Sequence, residues 1–317
     1  MKINVLGWYN HGNIGDESYK LSFPIIFPNH EFIFSDKLKG NEEIVILGGG
    51  NVLSEHFLHL LNKVNCKKLC MSVGVTEFKE INCEKIYVRD INSLNLIPNS
   101  IYMPDFAFAL KPNAENGKNL IKNIFKDNEL WNRLILCIPN AHLVDTLNSL
   151  SRDNITYQNF CYNFAKFVDE TPASFLFMPF GRQMPWDDRV VCGNIASKCK
   201  FWKKNVVLFD QISVQDSLDI IAACDLVVSQ RLHGSIFSCL SSVPFIDISH
   251  HDKNKSFLKT IKKENVMMDY WKFSKEKLEY LVNYVFENYE KEKLIIDNIS
   301  KEQQAILKGM SNDICFC

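Results

Sequence analysis

The chain has no surplus of charge, no long apolar run and no glycines at dinucleotide spacing, and each absence removes a class of function. Thirty-six Lys and Arg stand against 37 Asp and Glu, a formal net charge of -1, which leaves no electrostatic footprint for nucleic acid. No stretch approaches the roughly 18 apolar residues that read as an integral membrane segment. The opening residues MKINVLGWYNHGN carry no apolar core of a secretory signal, so the expectation is a cytoplasmic chain. Gly7, Gly12 and Gly15 miss the G-x-G-x-x-G spacing, which argues against a nicotinamide enzyme. The eleven cysteines are odd in number and lack metal-ligand spacing, so they read as reduced thiols. Cys315 and Cys317 fall in a tail expected to fray.

What is present is a core-forming α/β pattern. With 317 residues and 46% hydrophobic content, the chain can bury a large core, and its length favours two domains. Strands are expected at 3–9, 68–73, 85–88 and from 101, with a strand, glycine run and amphipathic helix across 43–61. Polar residues with Pro, Gly and Asn at 111–132 read as the connection between domains. Strands and helices then alternate again from 133 to 248, which implies a second parallel sheet. The resulting division is an N-terminal α/β domain at 1–115, a second at 130–270 and a C-terminal helical segment at 271–317. In that segment Leu278, Leu281, Val285, Ile295 and Ile299 form the expected apolar stripe.

The stretch Asp225–Ser249, DLVVSQRLHGSIFSCLSSVPFIDIS, switches from strand to helical period within a few residues. Arg231 and His233 therefore fall between a strand end and a first helical turn, where parallel sheets bind ligands. A guanidinium fork fits carboxylate or phosphate, and an imidazole can move a proton near neutral pH. Together they suggest an anion site with an acid attached. Three other loops have the same strand-end placement. Gly12 and Gly15 flank Asn13 after the first strand, with Asp16 placed to cap the next helix. Gly48, Gly49 and Gly50 precede Asn51. Arg89 and Asp90 end a further strand. His56 and His59 stand on a helix without a third ligand, and His250, His251 and Asp252 read as a solvated or cleft-edge loop, so no metal is expected.

The run Ser229-Gln230-Arg231-Leu232-His233-Gly234-Ser235-Ile236-Phe237 resembles the S-x-R-L-H-x-x-I-F signature of polysaccharide pyruvyltransferases. Asn13, Gly15 and Asp16 resemble that family's GNxGD motif; Gly48–Gly50, Arg89-Asp90-x-x-Ser93 and Asp105 also match its pattern. Phe106 stands where the family usually has proline, and Ser242 where it usually has glycine. The resemblance implies two Rossmann-like domains facing a cleft, GT-B-like, with the donor on the second domain and the acceptor on the first. It also implies a phosphoenolpyruvate donor, no separate cofactor, and a glycan or lipid-linked saccharide acceptor, which would bring the chain to the inner membrane face. His233 and Arg231 are then the expected catalytic residues. Asp16, Asp105 or another first-domain acid would act on the sugar hydroxyl. Asn13, Gly15, Gly49, Gly50, Asn51, Arg89, Asp105, Ser229, Leu232 and Gly234 are the expected substrate contacts, with Arg182 as a second anion ligand because the donor carries both carboxylate and phosphate. A nucleotide-sugar glycosyltransferase on the same architecture and a non-catalytic sugar-binding relative are the alternatives. Oligomeric state is left open.

Overall fold

The computed structural model describes residues 2–141, 152–183, 186–249, 251–312, 314 and 316. They form two parallel sheets of six strands. The first joins β1 (Lys2–Leu6), β2 (Glu31–Ser35), β3 (Ile44–Gly50), β4 (Lys67–Val73), β5 (Lys85–Val88) and β6 (Ile101–Tyr102) in the order β2-β1-β3-β4-β5-β6. The second joins β7 (Leu134–Ile138), β8 (Ser174–Phe177), β9 (Asn205–Val207), β10 (Leu226–Ser229), β11 (Phe245–Ser249) and β12 (Met267–Asp269) in the order β12-β11-β10-β7-β8-β9. The central strands β3, β7 and β10 are buried at every residue, as continuous apolar runs covered on both faces should be. The lateral walk of the chain reverses between β1 and β3 in one sheet and between β7 and β10 in the other. Such switch points, beyond the carboxyl ends of the strands, are where parallel sheets open a crevice.

Helices cover the sheets and stitch them together. Helix α1 (Ile14–Ile26) begins at Asn13, whose side chain accepts from Gly15 N at 3.0 Å. Asn13 is therefore the cap, and Asp16, expected in that role, sits in the first turn. Its backbone also bridges the halves, with Ile14 N donating to Phe180 O at 2.9 Å. Helix α2 (Glu55–Asn62) follows the glycine run. Helix α3 (Ile91–Leu96) is capped by Asp90, which accepts from Ser93 N at 2.9 Å. Helix α9 (Asp252–Thr260) of the second domain meets it, with Thr260 Oγ1 accepting from Ile91 N at 2.9 Å. The remaining helices are α4 (Ala114–Ile124), α5 (Arg152–Glu170), α6 (Asp188–Ala196), α7 (Val214–Ala222), α8 (Leu232–Leu240), α10 (Lys275–Glu287) and α11 (Tyr289–Asn312).

Several elements differ from the sequence expectation. The first strand ends at Leu6, short of Tyr9. The edge strands β2 and β12 are additional; β2 is only half-buried along EFIFS, and edge strands give weak patterns because one side meets solvent. The polar connection contains α4, which packs on α7 so closely that a Cβ at Gly117 would lie 1.9 Å from Asp219 O. In α11 the buried residues are Glu292, Ile296, Ser300, Gln303 and Leu307; the expected Ile295 and Ile299 lie one step around and are half-buried, Ile299 still packing against the core. That helix does not stay on the second domain: Tyr102 donates its hydroxyl to Gln303, and Phe316 stacks edge-on against Phe27 at 5.0 Å. Cys315, Cys317 and His250 lie outside the described residues.

Candidate active site

The carboxyl ends of the two sheets enclose a cavity of about 400 Å3, lined by Asn13, Asp16, Gly50, Asn51 and Arg89 from the first domain and Arg231, Leu232, His233 and Lys253 from the second. Trp8, Val52, Ser54, His56, Phe57, Phe180 and Trp186 complete its wall. Arg231 and His233 are only 7% and 8% exposed, and the small exposed part of each opens into this space.

The turn carrying them is locally over-determined. Ser229 Oγ accepts from Arg231 N at 3.1 Å and donates to Arg231 O at 2.7 Å, closing the bend between β10 and α8. A side chain at Gly234 would strike Ser229 Oγ at 2.2 Å, so the bend requires glycine there. Ser229 and Gly234 thus shape the turn from beneath rather than line the cavity.

His233 reaches across to the first domain. Its Nε2 lies 3.5 Å from Asp105 Oδ2, an ion-pair distance longer than a full hydrogen bond. Asp105 Oδ2 also accepts from Arg89 Nη1 at 2.9 Å and Tyr19 Oη at 2.7 Å. Burial alone would raise the Asp105 carboxyl. His233, Arg89 and the Tyr19 hydroxyl overcome it and hold the group well below the usual carboxylate range. It therefore stays anionic and steadies any positive charge on the imidazole. The opposite edge of the ring rests on α1, where a Cβ at Gly15 would fall 2.2 Å from His233 Nδ1. Gly15 thus acts as a seat for His233 rather than as a cavity wall. Gly49, at φ +73°, gives Tyr19 the same clearance, since a Cβ there would meet its ring at 2.7 Å.

Arg231 is held from behind. Its Nε and Nη2 donate to Asp188 Oδ2 and Oδ1 at 2.9 and 2.6 Å. Asp188 is fully buried and accepts from Ala141 N, Phe180 N and Gly181 N as well. Such a satisfied bidentate pair fixes a guanidinium in one orientation.

Lys253 and Asp16 both line the cavity and act on each other electrostatically. Burial first, then repulsion from Arg231 and Arg89, pull the Lys253 amine down to about 8, against relief from Asp16 and Asp188. Among the described residues it has no ion-pair contact, whereas Arg89 and Arg231 are paired. Burial raises the Asp16 carboxyl, opposed by His233, Lys253, Arg89 and Arg231. A carboxylate shifted toward neutrality is suited to accept a proton.

Of the residues expected from sequence, the fold thus gathers Asn13, Asp16, Gly50, Asn51, Arg89, Arg231, Leu232 and His233 on the cavity, with Gly15, Gly49, Asp105, Ser229 and Gly234 directly behind. Arg182 is not among them. Its guanidinium donates to the carbonyls of Phe209 at 2.6 Å, Leu208 at 3.3 Å and Asp210, tying down the segment after β9. His56, expected at a helix surface or boundary, is exposed there and also lines the cavity. Lys253 was hidden in the polar run HHDKNK, although every loop after a parallel strand emerges on the cavity side. Among the described residues no group of His, Cys, Asp and Glu is placed to hold a metal.

Both departures from the family pattern have local compensation. Phe106 is the first residue of a short 3-10 turn (Phe106–Ala109) capped by Asp105, whose Oδ1 accepts from Ala107 N at 3.0 Å. Proline suits such a first position because its missing N–H costs nothing there. Phe106 instead donates its N–H to Ser72 Oγ at 3.3 Å and packs its ring on Phe23 at 4.8 Å. Ser242 adopts φ +55°, a left-handed conformation that favours glycine, and its hydroxyl bonds Asp297 at 3.0 Å.

The architecture is that of GT-B proteins. UDP-GlcNAc 2-epimerase from Methanocaldococcus jannaschii superposes with a TM-score of 0.60 at 14% identity, covering 90% of this chain and 92% of its own. The corresponding enzyme of Neisseria meningitidis gives 0.59 at 9% identity with 99% of each chain covered. Spinosyn rhamnosyltransferase SpnG gives 0.53 at 7% identity, covering 99% of this chain and 100% of its own. At these identities the likeness is one of fold. A search among curated proteins finds no sequence match. The sequence profile of polysaccharide pyruvyl transferases, by contrast, matches residues 12–252, the span that carries all of the cavity's motifs up to the edge of Lys253; the chain belongs to the polysaccharide pyruvyl transferase family.

Proposed function

We propose that this chain transfers the enolpyruvyl unit of phosphoenolpyruvate to two hydroxyls of a sugar, forming a cyclic ketal and releasing phosphate. The observation that carries this reading is the convergence of Arg231, Arg89 and Lys253 on a cavity that also holds His233 and Asp16. A donor with a carboxylate and a phosphate needs more than one cation, and here Lys253 supplies the charge that no carboxylate of the described residues neutralises by direct contact.

In this reading His233 protonates carbon-3 of the donor, leaving a cationic carbon-2 that the first sugar hydroxyl attacks. Asp16 takes that hydroxyl's proton. The carbon-2 to oxygen bond then breaks, and phosphate departs with the electron pair toward Arg231 and Lys253. The second hydroxyl attacks the oxocarbenium centre and returns a proton to His233, closing the ketal. Asp105 remains anionic and orients the imidazole throughout. The acceptor enters from the first-domain side, along Asn51 and His56.

The test is phosphate release and mass spectrometry with phosphoenolpyruvate and candidate glycans. A glycan gaining one pyruvate ketal supports the assignment, and His233→Ala should lower turnover by roughly 100-fold or more. Thermal shift separates the glycosyltransferase alternative: a ligand at 100 times its Kd stabilises by about 2.7 kcal/mol. Stabilisation by a nucleotide sugar but not by phosphoenolpyruvate would overturn the reading.

A further inference from the structure

The amino-terminal ends of β7 and β9, the pole of the second domain opposite the cavity, carry a patch that the proposed chemistry does not use. The segment 198–204 reads Lys-Cys-Lys-Phe-Trp-Lys-Lys, four cations and no acid in a chain of net charge -1. At its centre Phe201 and Trp202 are 61% and 63% exposed, beside the exposed Leu130 and Trp131 of the connection entering β7.

This is a built surface rather than a frayed loop. Both carboxylate oxygens of Asp169 accept from Lys200 N at about 3 Å, and Oδ1 also accepts from Phe201 N. Glu129 N donates to Lys203 O at 3.0 Å, pinning the Trp131 segment to the aromatic turn. Lys204 points inward, donating to Asp169 O and Thr171 O at 2.8 Å each, with its ammonium 5.3 Å from the Trp131 ring. Phe201 and Trp202 are consequently held outward by satisfied backbone, between the solvent-facing ammonium groups of Lys198, Lys200 and Lys203. The acids nearby are Glu129, Asp169 and Glu170; Asp169 is occupied by amides, and Glu170 pairs with Lys275 at 2.5 Å.

We propose that this pole is a docking surface for an anionic phospholipid bilayer, with Phe201, Trp202 and Trp131 seated at headgroup depth and the three outward lysines against lipid phosphates. Aromatic rings favour the membrane-water boundary, and clustered lysines are drawn to anionic leaflets within a Debye length. A saccharide would need free polar partners among the rings, yet Lys204 and Asp169 are already engaged by the fold. Because no helix among the described residues is long and apolar enough to cross a membrane, such contact would be peripheral and reversible. The inference does not rest on the pyruvyl-transfer reading.

The test uses the full chain in co-sedimentation with vesicles of phosphatidylglycerol and phosphatidylcholine, against phosphatidylcholine alone. Wild-type protein should sediment with the anionic vesicles only, release on adding salt, and show blue-shifted tryptophan emission when bound. Phe201→Ser with Trp202→Ser, and separately Lys200→Glu with Lys203→Glu, should each weaken binding about tenfold or more while leaving the unfolding temperature near wild type. Equal sedimentation of wild type and both variants, preference for neutral vesicles, or tryptophan quenching by oligosaccharide without vesicle binding would overturn it.

Discussion

Arg231 gives one N–H from Nε and one from Nη2 to Asp188, at 2.9 and 2.6 Å, so both N–H groups of Nη1 and the second of Nη2 are left to meet an incoming anion. Lysine cannot reproduce that fork. Arg231→Lys should therefore lose activity nearly as completely as Arg231→Ala. Asp188→Ala, which leaves a buried cation and three backbone amides without their acceptor, should cost roughly 3–5 kcal/mol in stability. Steady-state kinetics and denaturant unfolding check the two halves.

Asp105→Asn keeps the size of the side chain but removes the charge that faces His233 and Arg89. The expected result is a fall in kcat of roughly 10- to 100-fold, in the range seen when a partner that orients a functional imidazole is lost. Asp105 is also held low in the folded state, so its contribution is present above the ordinary carboxylate range and lost as pH falls below it. Wild-type protein should therefore lose stability on acidification below about pH 4 more steeply than Asp105→Asn, which pH-dependent thermal unfolding measures.

Lys253 predicts the opposite edge of the pH profile. With its amine drawn down to about 8, the cavity loses a positive charge as pH rises through that value, and donor affinity should fall there. The sign for folding is reversed: between that value and the ordinary lysine range the unfolded chain holds more protons, so stability rises with pH. Lys253→Met should abolish the affinity change above neutrality and, by removing a desolvated cation, raise Tm by roughly 2–4 °C, the shift of about 1 kcal/mol in a domain of 150–250 residues. Titration of donor binding across pH 6 to 9 decides it.

Gly15→Ala is a steric probe of the imidazole's seat. The new methyl would lie 2.2 Å from His233 Nδ1, and Tyr19 and Phe237 flank the ring at 6.1 Å between centroids, leaving it little room to yield. Turnover should drop about tenfold or more, with secondary structure by circular dichroism retained.

Arg182→Ala should leave donor affinity unchanged. Its guanidinium serves the carbonyls of Leu208, Phe209 and Asp210, so the expected effect is on thermal stability, about 1–2 kcal/mol. Isothermal titration with the donor is the readout.

The centre of the site was legible in sequence because it rests on a change of period: β10 and α8 meet within three residues, and that places Arg231 and His233 at a strand end whatever the rest of the chain does. Arg89 was legible from its place at a strand end, and Asp105 only from its resemblance to the family pattern. Lys253 was not, since a lysine in a polar run looks alike on a solvated turn and on a cavity wall; only its half-buried place on the cavity, within the field of Arg231 and Arg89, distinguishes them. Asp188 was indistinguishable from its neighbour Asp187, yet one is buried under Arg231 and the other pairs with Arg189 at 2.5 Å. Arg182 has the strand-end placement of a ligand residue, but backbone carbonyls nearer to it claim its donors. Helix α4 was concealed by its composition: only Gly117 and Ile121 are fully buried, too narrow a stripe to outweigh its polar residues.

The chain crosses between its two lobes as a strap and returns as a brace. On the outward passage α4 is fastened to α7, with Asn113 N and Asn116 Nδ2 both bound to Asp219 at 2.8 Å; on the way back α11 rests against the turn at 106–109 and Tyr102. A parting of the lobes would therefore strain the seat of the last helix on the first lobe as well as the walls of the cavity, which ties the width of the opening to the grip of a segment remote from every residue of the site.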